Sequence, residues 1–291
     1  MDTKSQKTIA NLSLCQRTLE SEIKAIWTIC MRNLKIEIRY PINFILSQIF
    51  FIGDVAAFIL LGYVSGPKGG FQEYVGTLDF VSFFVVGGAL WTFWKILIDG
   101  IGGSLREEQL CGTLEVNYTC PTRRLDLLIG YSLSFLVESV LWLSIYFVLG
   151  TIIFGMTLNT TIPNVVMSMF IFLLVILASS GFSFLMAGIV FRFKEPGILS
   201  TFLFHPLSYF SGTYFTIKAM PEGIRWISYL IPTSYSIDCL RSLLLGTETF
   251  MPLNIEVLIL LLFAAILPIL GMSAFTQLEK RALQKGDLAT Y

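Results

Sequence analysis

The charged side chains best placed to act lie in a polar segment, residues 104–124, set between two long apolar stretches: Arg106, Glu107, Glu108, Glu115, Arg123 and Arg124 surround Gly112-Thr113-Leu114. Their chemistry is that of docking rather than of bond-making. Arg106, Glu107, Glu108 and Glu115 supply charged contacts, Leu110 and Leu114 an apolar anchor, Thr113 a hydroxyl, and Gly112 permits a sharp turn. Such an element is suited to receive a push from another protein. The alternative is an ordinary solvated connection. A catalytic set is not visible: there is one histidine, His205, and neither HExxH, Gly-x-Ser-x-Gly nor clustered acids. The chain is therefore not expected to be an enzyme.

Cofactor chemistry is equally thin. Five cysteines, Cys15, Cys30, Cys111, Cys120 and Cys239, have no CxxC spacing and lie far from His205, so no metal site is expected. Four of them fall in segments assigned below to the cytosol, where thiols stay reduced, which argues against a disulfide framework. No Gly-Lys dipeptide occurs, hence no phosphate-cradling loop. No cofactor is expected in this chain.

Composition places these residues in a membrane. Of 291 residues 55% are hydrophobic and 14% charged, and mean hydropathy is +0.74, far from the balance of a soluble domain. Twenty cations cancel twenty anions, and no basic arm with interleaved aromatics suggests nucleic acid. A transmembrane helix needs about 20 apolar residues. Six stretches qualify: Ile42 to Tyr63, Phe80 to Ile98, Leu125 to Phe154, Val165 to Phe191, Ile198 to Thr216 and Ile255 to Phe275.

Charge distribution orients them. Fifteen Lys and Arg lie before Ile42, in the second and fourth connections and after Phe275, against Lys68, Lys218, Arg225 and Arg241 on the other side. This positive-inside bias puts both termini and the 104–124 segment in the cytosol. Lys95 and Asp99 fit an ion pair at the cytosolic end of the second span. Residues 17–39 read as an interfacial helix on an anionic leaflet, with Leu19, Ile23, Ile26, Trp27, Cys30, Leu34 and Ile38 in one stripe and Lys24, Thr28, Arg32, Lys35 and Arg39 opposite. Glu37 falls on the apolar stripe without explanation. The first forty residues lack a short apolar core with a cleavage site, so no signal peptide is expected to be removed.

Residues 217–253 are apolar but broken by Pro221 and Pro232, which suggests short re-entrant or interfacial helices with Trp226, Tyr229 and Tyr235 at headgroup level. In the fourth span Ser179, Ser183 and Ala187 recur every four residues, a notch for a neighbouring helix. No repeated half is visible, which counts against the inverted-repeat design of many secondary transporters. The fold class is an all-α membrane protein: six transmembrane helices, an N-terminal amphipathic interfacial helix, a cytosolic coupling helix and an outer re-entrant segment. The boundaries are a cytosolic 1–41, a six-span 42–275 and a cytosolic tail 276–291.

Asp54 and Glu138 fall near the middle of spans, where an ionised carboxylate costs at least about 2.5 kcal/mol. Each should face away from lipid. They either line a path for a cationic or hydroxyl-bearing cargo or fix helix packing by hydrogen bonding. Trp91 and Trp94, with Phe83, Phe84 and Phe93, either stack on rings along a conduit or pack the bundle. His205-Pro206 breaks the fifth span, as a kink or as a ligand position.

Arg106-Glu107-Glu108, Gly112-Thr113-Leu114-Glu115, Pro121, Arg123-Arg124 and Leu127-Leu128-Ile129-Gly130 resemble the signature after the second span of type-2 ATP-binding-cassette export permeases. Ser211-Gly212-Thr213-Tyr214-Phe215, Pro221, Trp226, Pro232-Thr233-Ser234-Tyr235-Ser236-Ile237-Asp238 and Leu240-Arg241 resemble that family's fifth span end and outer segment, nearest its multidrug or antibiotic-efflux branch. Departures are Leu110-Cys111 before Gly112, Asn117-Tyr118-Thr119-Cys120 before Pro121, and the acids Asp54 and Glu138. The resemblance implies a multi-pass protein of a prokaryotic plasma membrane, working as a homo- or heterodimer of permeases surrounded by lipid. It also implies ATPase subunits that carry ATP and Mg, with Arg106 to Glu115 as the coupling helix. An ion-coupled secondary transporter using Asp54 and Glu138 is the competing expectation.

Overall fold

The computed structural model describes residues 19–42, 79–120, 123–156, 158–159, 161–191 and 196–285, with scattered helical positions between 46 and 60. Among them the chain is helical: α1 (Leu19–Arg39), α2 (Phe80–Leu110), α3 (Thr113–Thr119), α4 (Arg124–Phe154), α5 (Ile162–Val190), α6 (Pro196–Phe210), α7 (Glu222–Tyr229), α8 (Pro232–Leu245) and α9 (Leu253–Lys285). Four helices, α2, α4, α5 and α9, are long and apolar enough to cross a membrane. The expected first span, Ile42 to Tyr63, lies largely outside the described residues, as does Asp54. At 15 residues α6 is shorter than the roughly 20 a span requires. Pro206 sits inside it, and the helix continues to Phe210.

Burial divides these helices by role. The most apolar window of α2 is 89% buried, whereas those of α4 and α9 are 22% buried. α2 is therefore the axis, packed by α4, α5 and α8. Val140, Leu141, Val148 and Ile152 on α4, Val166, Met169 and Leu173 on α5, and Leu258, Ile266 and Ile269 on α9 point outward. Such surfaces suit hydrocarbon, because lipid tails remove the penalty that water would impose.

α2 is longer than its apolar stretch suggests. Its 31 residues span about 46 Å, well beyond the ~30 Å of a hydrocarbon core. Lys95 and Asp99 do pair, with Nζ 2.7 Å from Oδ2, but in mid-helix, and the last turns of α2 carry Arg106 to Leu110 onward to α3. At the opposite end of the bundle, α8 has 11 of its 14 residues buried, against α2, α5 and α9. Tyr235, expected at headgroup level, is instead 2% exposed. Its hydroxyl donates to the Tyr229 carbonyl at 2.9 Å, so its polar end is satisfied inside the fold. Trp226 is exposed.

α5 and α9 make the closest contact. A Cβ at Gly271 would lie 2.0 Å from the Gly181 carbonyl oxygen, and one at Gly181 would lie 2.3 Å from the Leu267 backbone. The serine notch on α5 faces a different neighbour: the Ser183 hydroxyl donates to the Leu97 carbonyl on α2. Small residues thus let α5 approach two helices at once. Gly181→Ala and Gly271→Ala should each force these backbones apart and cost about 1–3 kcal/mol. Thermal unfolding in detergent would register this as a lowered midpoint, with Ala→Gly changes on the outer face of α9 as controls.

Candidate functional site

The polar segment folds as a helix end, a turn and a short helix. Cys111 and Gly112 form the turn, Gly112 at φ 69°, a conformation that a side chain disfavours. α3 then runs seven residues, and Asp126 caps the next helix by accepting from the Arg123 backbone N–H at 3.3 Å. Arg106 and Gln109 share a contact of 3.4 Å on α2.

Two of the seven residues expected to meet a partner are turned inward. Glu108 is 7% exposed and Leu114 1%. Leu114 belongs to an apolar cluster with Ile101, Leu105, Leu128, Phe191 and Phe275, so it anchors α3 to its own bundle. Glu107, Gly112, Thr113 and Glu115 are exposed, with Leu110 and Val116 beside them. The outward face of this element is therefore mixed acidic and apolar.

Glu108 gathers donors from three other helices. Arg32 of α1 donates to Oε1 at 2.6 Å, and Asn117 of α3 to Oε2 at 2.6 Å. The Tyr131 hydroxyl of α4 donates to Oε1 as well, and Arg32 reaches that hydroxyl at 2.8 Å. A buried carboxylate survives only with its lone pairs filled in this way. Next to it, Asn33 donates to Ser134 Oγ at 3.3 Å. Arg32, expected on the polar face of an interfacial helix, is thus one of the main ties of α1 to the bundle. Cys30 and Asn33 are buried as well, while Leu19, Ile23, Trp27 and Ile38 stay exposed. The apolar stripe of α1 is split between bundle and surroundings.

A second buried carboxylate lies on α9. Glu279 is 1% exposed; it accepts from the Tyr118 hydroxyl of α3 at 2.6 Å and from Arg124, the first residue of α4, at 2.8 Å. Burial and the neighbouring Glu279 raise the Tyr118 phenol above its ordinary pKa, keeping it a donor. Arg123 pairs with Glu22 of α1 at 2.9 Å. Arg32, Tyr131 and Glu279 carry little signal in the sequence, since no motif or period marks them. The only hint at Glu279 was an acid beginning the charged run that ends a long apolar stretch.

The path candidates separate. Glu138 lines a cleft with Asn33, Leu34, Glu37, Ser104, Glu107 and Ser134, on the side of the bundle that carries Glu108. Burial first, and Glu107 second, raise the pKa of Glu37, which gives this acid on the apolar stripe its place. Trp91 and Trp94 are buried, 2% and 1% exposed. Trp94 packs on Trp91, Phe182 and Phe204 with ring centres 5.0, 5.8 and 5.6 Å away. His205 is exposed, edge-on to Tyr209 at 5.9 Å. These residues do not converge on one site with Glu138.

At the far end of the bundle Arg241 is 2% exposed. It donates to the carbonyls of Gly212, Thr213 at 2.6 Å and Phe83 at 2.8 Å, and stands over the Phe83 ring. Asp238 accepts from the Phe250 N–H at 2.8 Å, and Glu256 from the Met251 N–H at 2.9 Å.

Residues 24–245 match the family model described as ABC-2 type transporter. Among curated proteins, none matches the chain. The matched region takes in the Glu108 cluster and α8, and stops before Glu279. Glu108→Ala would strand Arg32, Asn117 and Tyr131 together, so a loss of about 1–3 kcal/mol is expected. Tyr131→Phe, which leaves the Arg32–Glu108 contact in place, should cost less. The two unfolding midpoints, compared in one detergent, check the ordering.

Proposed function

The chain belongs to the ABC-2 type transporter family, and on that premise we propose that it is the membrane-spanning permease subunit of an ATP-driven exporter. Its hydrolytic partner is a separate chain that binds ATP and Mg. Two permease chains, identical or not, form the path, with six spans each and both termini in the cytosol of a prokaryotic cell. α3 is the coupling helix.

The observation that carries this reading is the two-sidedness of the α2–α3 junction. Glu107, Leu110, Glu115 and Val116 are exposed, while Glu108, Leu114, Asn117 and Tyr118 reach back into the bundle. One face is open for a partner and the other is fastened to three long helices. A solvated loop has no need of the second face. Glu138, beside Glu37 and Glu107 in the cleft, is the proposed contact for a cationic group of the cargo; Asp54 is retained as a second candidate. Efflux of a drug-like molecule fits such a contact.

Reversing Glu107 and Glu115 to Lys should abolish cargo-stimulated ATP turnover by a copurified ATPase, while the permease itself unfolds at an unchanged temperature. Full stimulation by that variant would reject α3 as the docking element. Transport by the purified chain alone, driven by a proton gradient, would reject the ATP-driven reading altogether. In the same vesicles Glu138→Gln should raise the half-saturating concentration of a cationic cargo about tenfold, the loss of one charge contact. An unchanged concentration dependence would confine Glu138 to packing.

A further inference from the structure

Glu279 lies outside the matched region and in none of the motifs, yet it is the most enclosed acid at the α3 end of the bundle, 1% exposed. Its two oxygens are divided between two elements. Oε1 accepts from Tyr118 on α3 and Oε2 from Arg124 at the start of α4, at 2.6 and 2.8 Å. The Arg124 guanidinium also lies 5.6 Å from the centre of the Tyr118 ring. Three side chains from three helices therefore close one compact unit.

α3 has two polar arms into the bundle. Asn117 takes hold of Glu108 on α2, the helix that α3 directly follows in the chain. Tyr118 takes hold of Glu279 on α9, 161 residues away in sequence. α9 does not move alone: it packs along α5 at the Gly181–Gly271 contact, where the backbones are too close to slide without separating. Without this link a displacement of α3 would reach α9 directly only through apolar contacts such as those around Leu114 and Phe275, which accommodate small shifts, and α5 only by way of α2 and the Ser183–Leu97 hydrogen bond. A charge-assisted pair of hydrogen bonds on a buried carboxylate does not.

We propose that Glu279 is a positioning residue that couples α3 to the α5–α9 pair, so that a push received by α3 moves these helices together with α2. This rests on the reading of α3 as the element that docks an ATPase, and deepens it by adding a second route of transmission. Without Glu279, α3 would still dock and would still drag α2, but the far side of the bundle would lag.

The test uses the full chain reconstituted in lipid vesicles with its ATPase, comparing Glu279→Ala, Tyr118→Phe and the double variant. Basal ATP turnover, copurification of the ATPase and the unfolding temperature serve as one set of readouts. Cargo-stimulated turnover and ATP hydrolysed per cargo exported serve as the other. The expected result is intact basal turnover and copurification with stimulation reduced about tenfold, within the range of ordinary coupling between sites; the unfolding temperature falls in Glu279→Ala, which strands Tyr118 and Arg124, and falls less in Tyr118→Phe. The double variant should be no worse than the single ones, since both cut the same link. Glu279→Asp should recover part of the stimulation. Where Glu279→Ala fails to fold, Tyr118→Phe, which keeps the ring and the charge, carries the decision. Full stimulation in Tyr118→Phe, or strictly additive losses, would overturn the proposal. An ATPase that assembles and drives export normally in these variants leaves the docking reading intact and removes only the role of Glu279. A wild-type chain that engages no ATPase removes both.

Discussion

A carboxylate taken out of water at the end of a helix bundle has to be surrounded by donors, and that demand organises the α3 end of this protein. Glu108 draws Arg32, Asn117 and Tyr131 together from α1, α3 and α4. None of these helices could shift relative to α2 without exposing or stranding a charge, at a cost well above that of breaking an apolar contact. The lipid-facing surfaces of α4, α5 and α9 impose little directional preference of their own. Directional restraint comes from the few polar groups that the bundle encloses.

The far end solves the same problem with the opposite sign. Arg241 is buried, and its two terminal nitrogens donate to backbone carbonyls of the 212–213 turn and of α2 rather than to a carboxylate among the described residues. Carbonyls in irregular backbone are the natural acceptors there, because the turn after α6 frees them from helical pairing. The cation thus fastens α8 to the top of α2, and the anions Asp238 and Glu256 hold the backbone around residues 250 and 251. Both ends of the bundle are pinned by charge, and the apolar middle, with Trp94 among Trp91, Phe182 and Phe204, is filled by packing.

What could be read from the sequence follows from period and length. The four long apolar stretches with matching helices, the broken character of residues 217–253, the small notch at Ser179, Ser183 and Ala187 and the sharp turn at Gly112 all depend on local pattern, and the described helices display them. Facing is another matter. Leu114 reads as a partner contact because a seven-residue helix after a turn has no amphipathic period long enough to say which side is inside, and Glu108 does because a carboxylate in the last turn of a long helix ordinarily faces water. Arg32 reads as one more cation on the polar face of an interfacial helix; only the link to Glu108, 76 residues on, shows that it ties α1 to the bundle. Residue type alone places Tyr235 in a headgroup layer, whereas its hydroxyl finds the Tyr229 carbonyl inside the fold. Long-range polar pairing leaves no periodic trace in a single chain.

The same reasoning explains why α3 is short. A longer helix would carry a second inward stripe and settle into the bundle as one more structural member. Seven residues allow one apolar anchor, Leu114, and two polar arms, Asn117 and Tyr118, while Glu115 and Val116 on the intervening positions stay exposed. On the proposed reading such an element would move together with the carboxylates it holds, since one anchor and two hydrogen-bonded arms define a body without embedding it. The Gly112 turn on one side and the extended Cys120 on the other free its ends from the helices that flank it in the chain. On that same reading, a push on α3 would be shared between α2 and α9, whose carboxylates Glu108 and Glu279 its two arms hold, rather than passed along the chain alone.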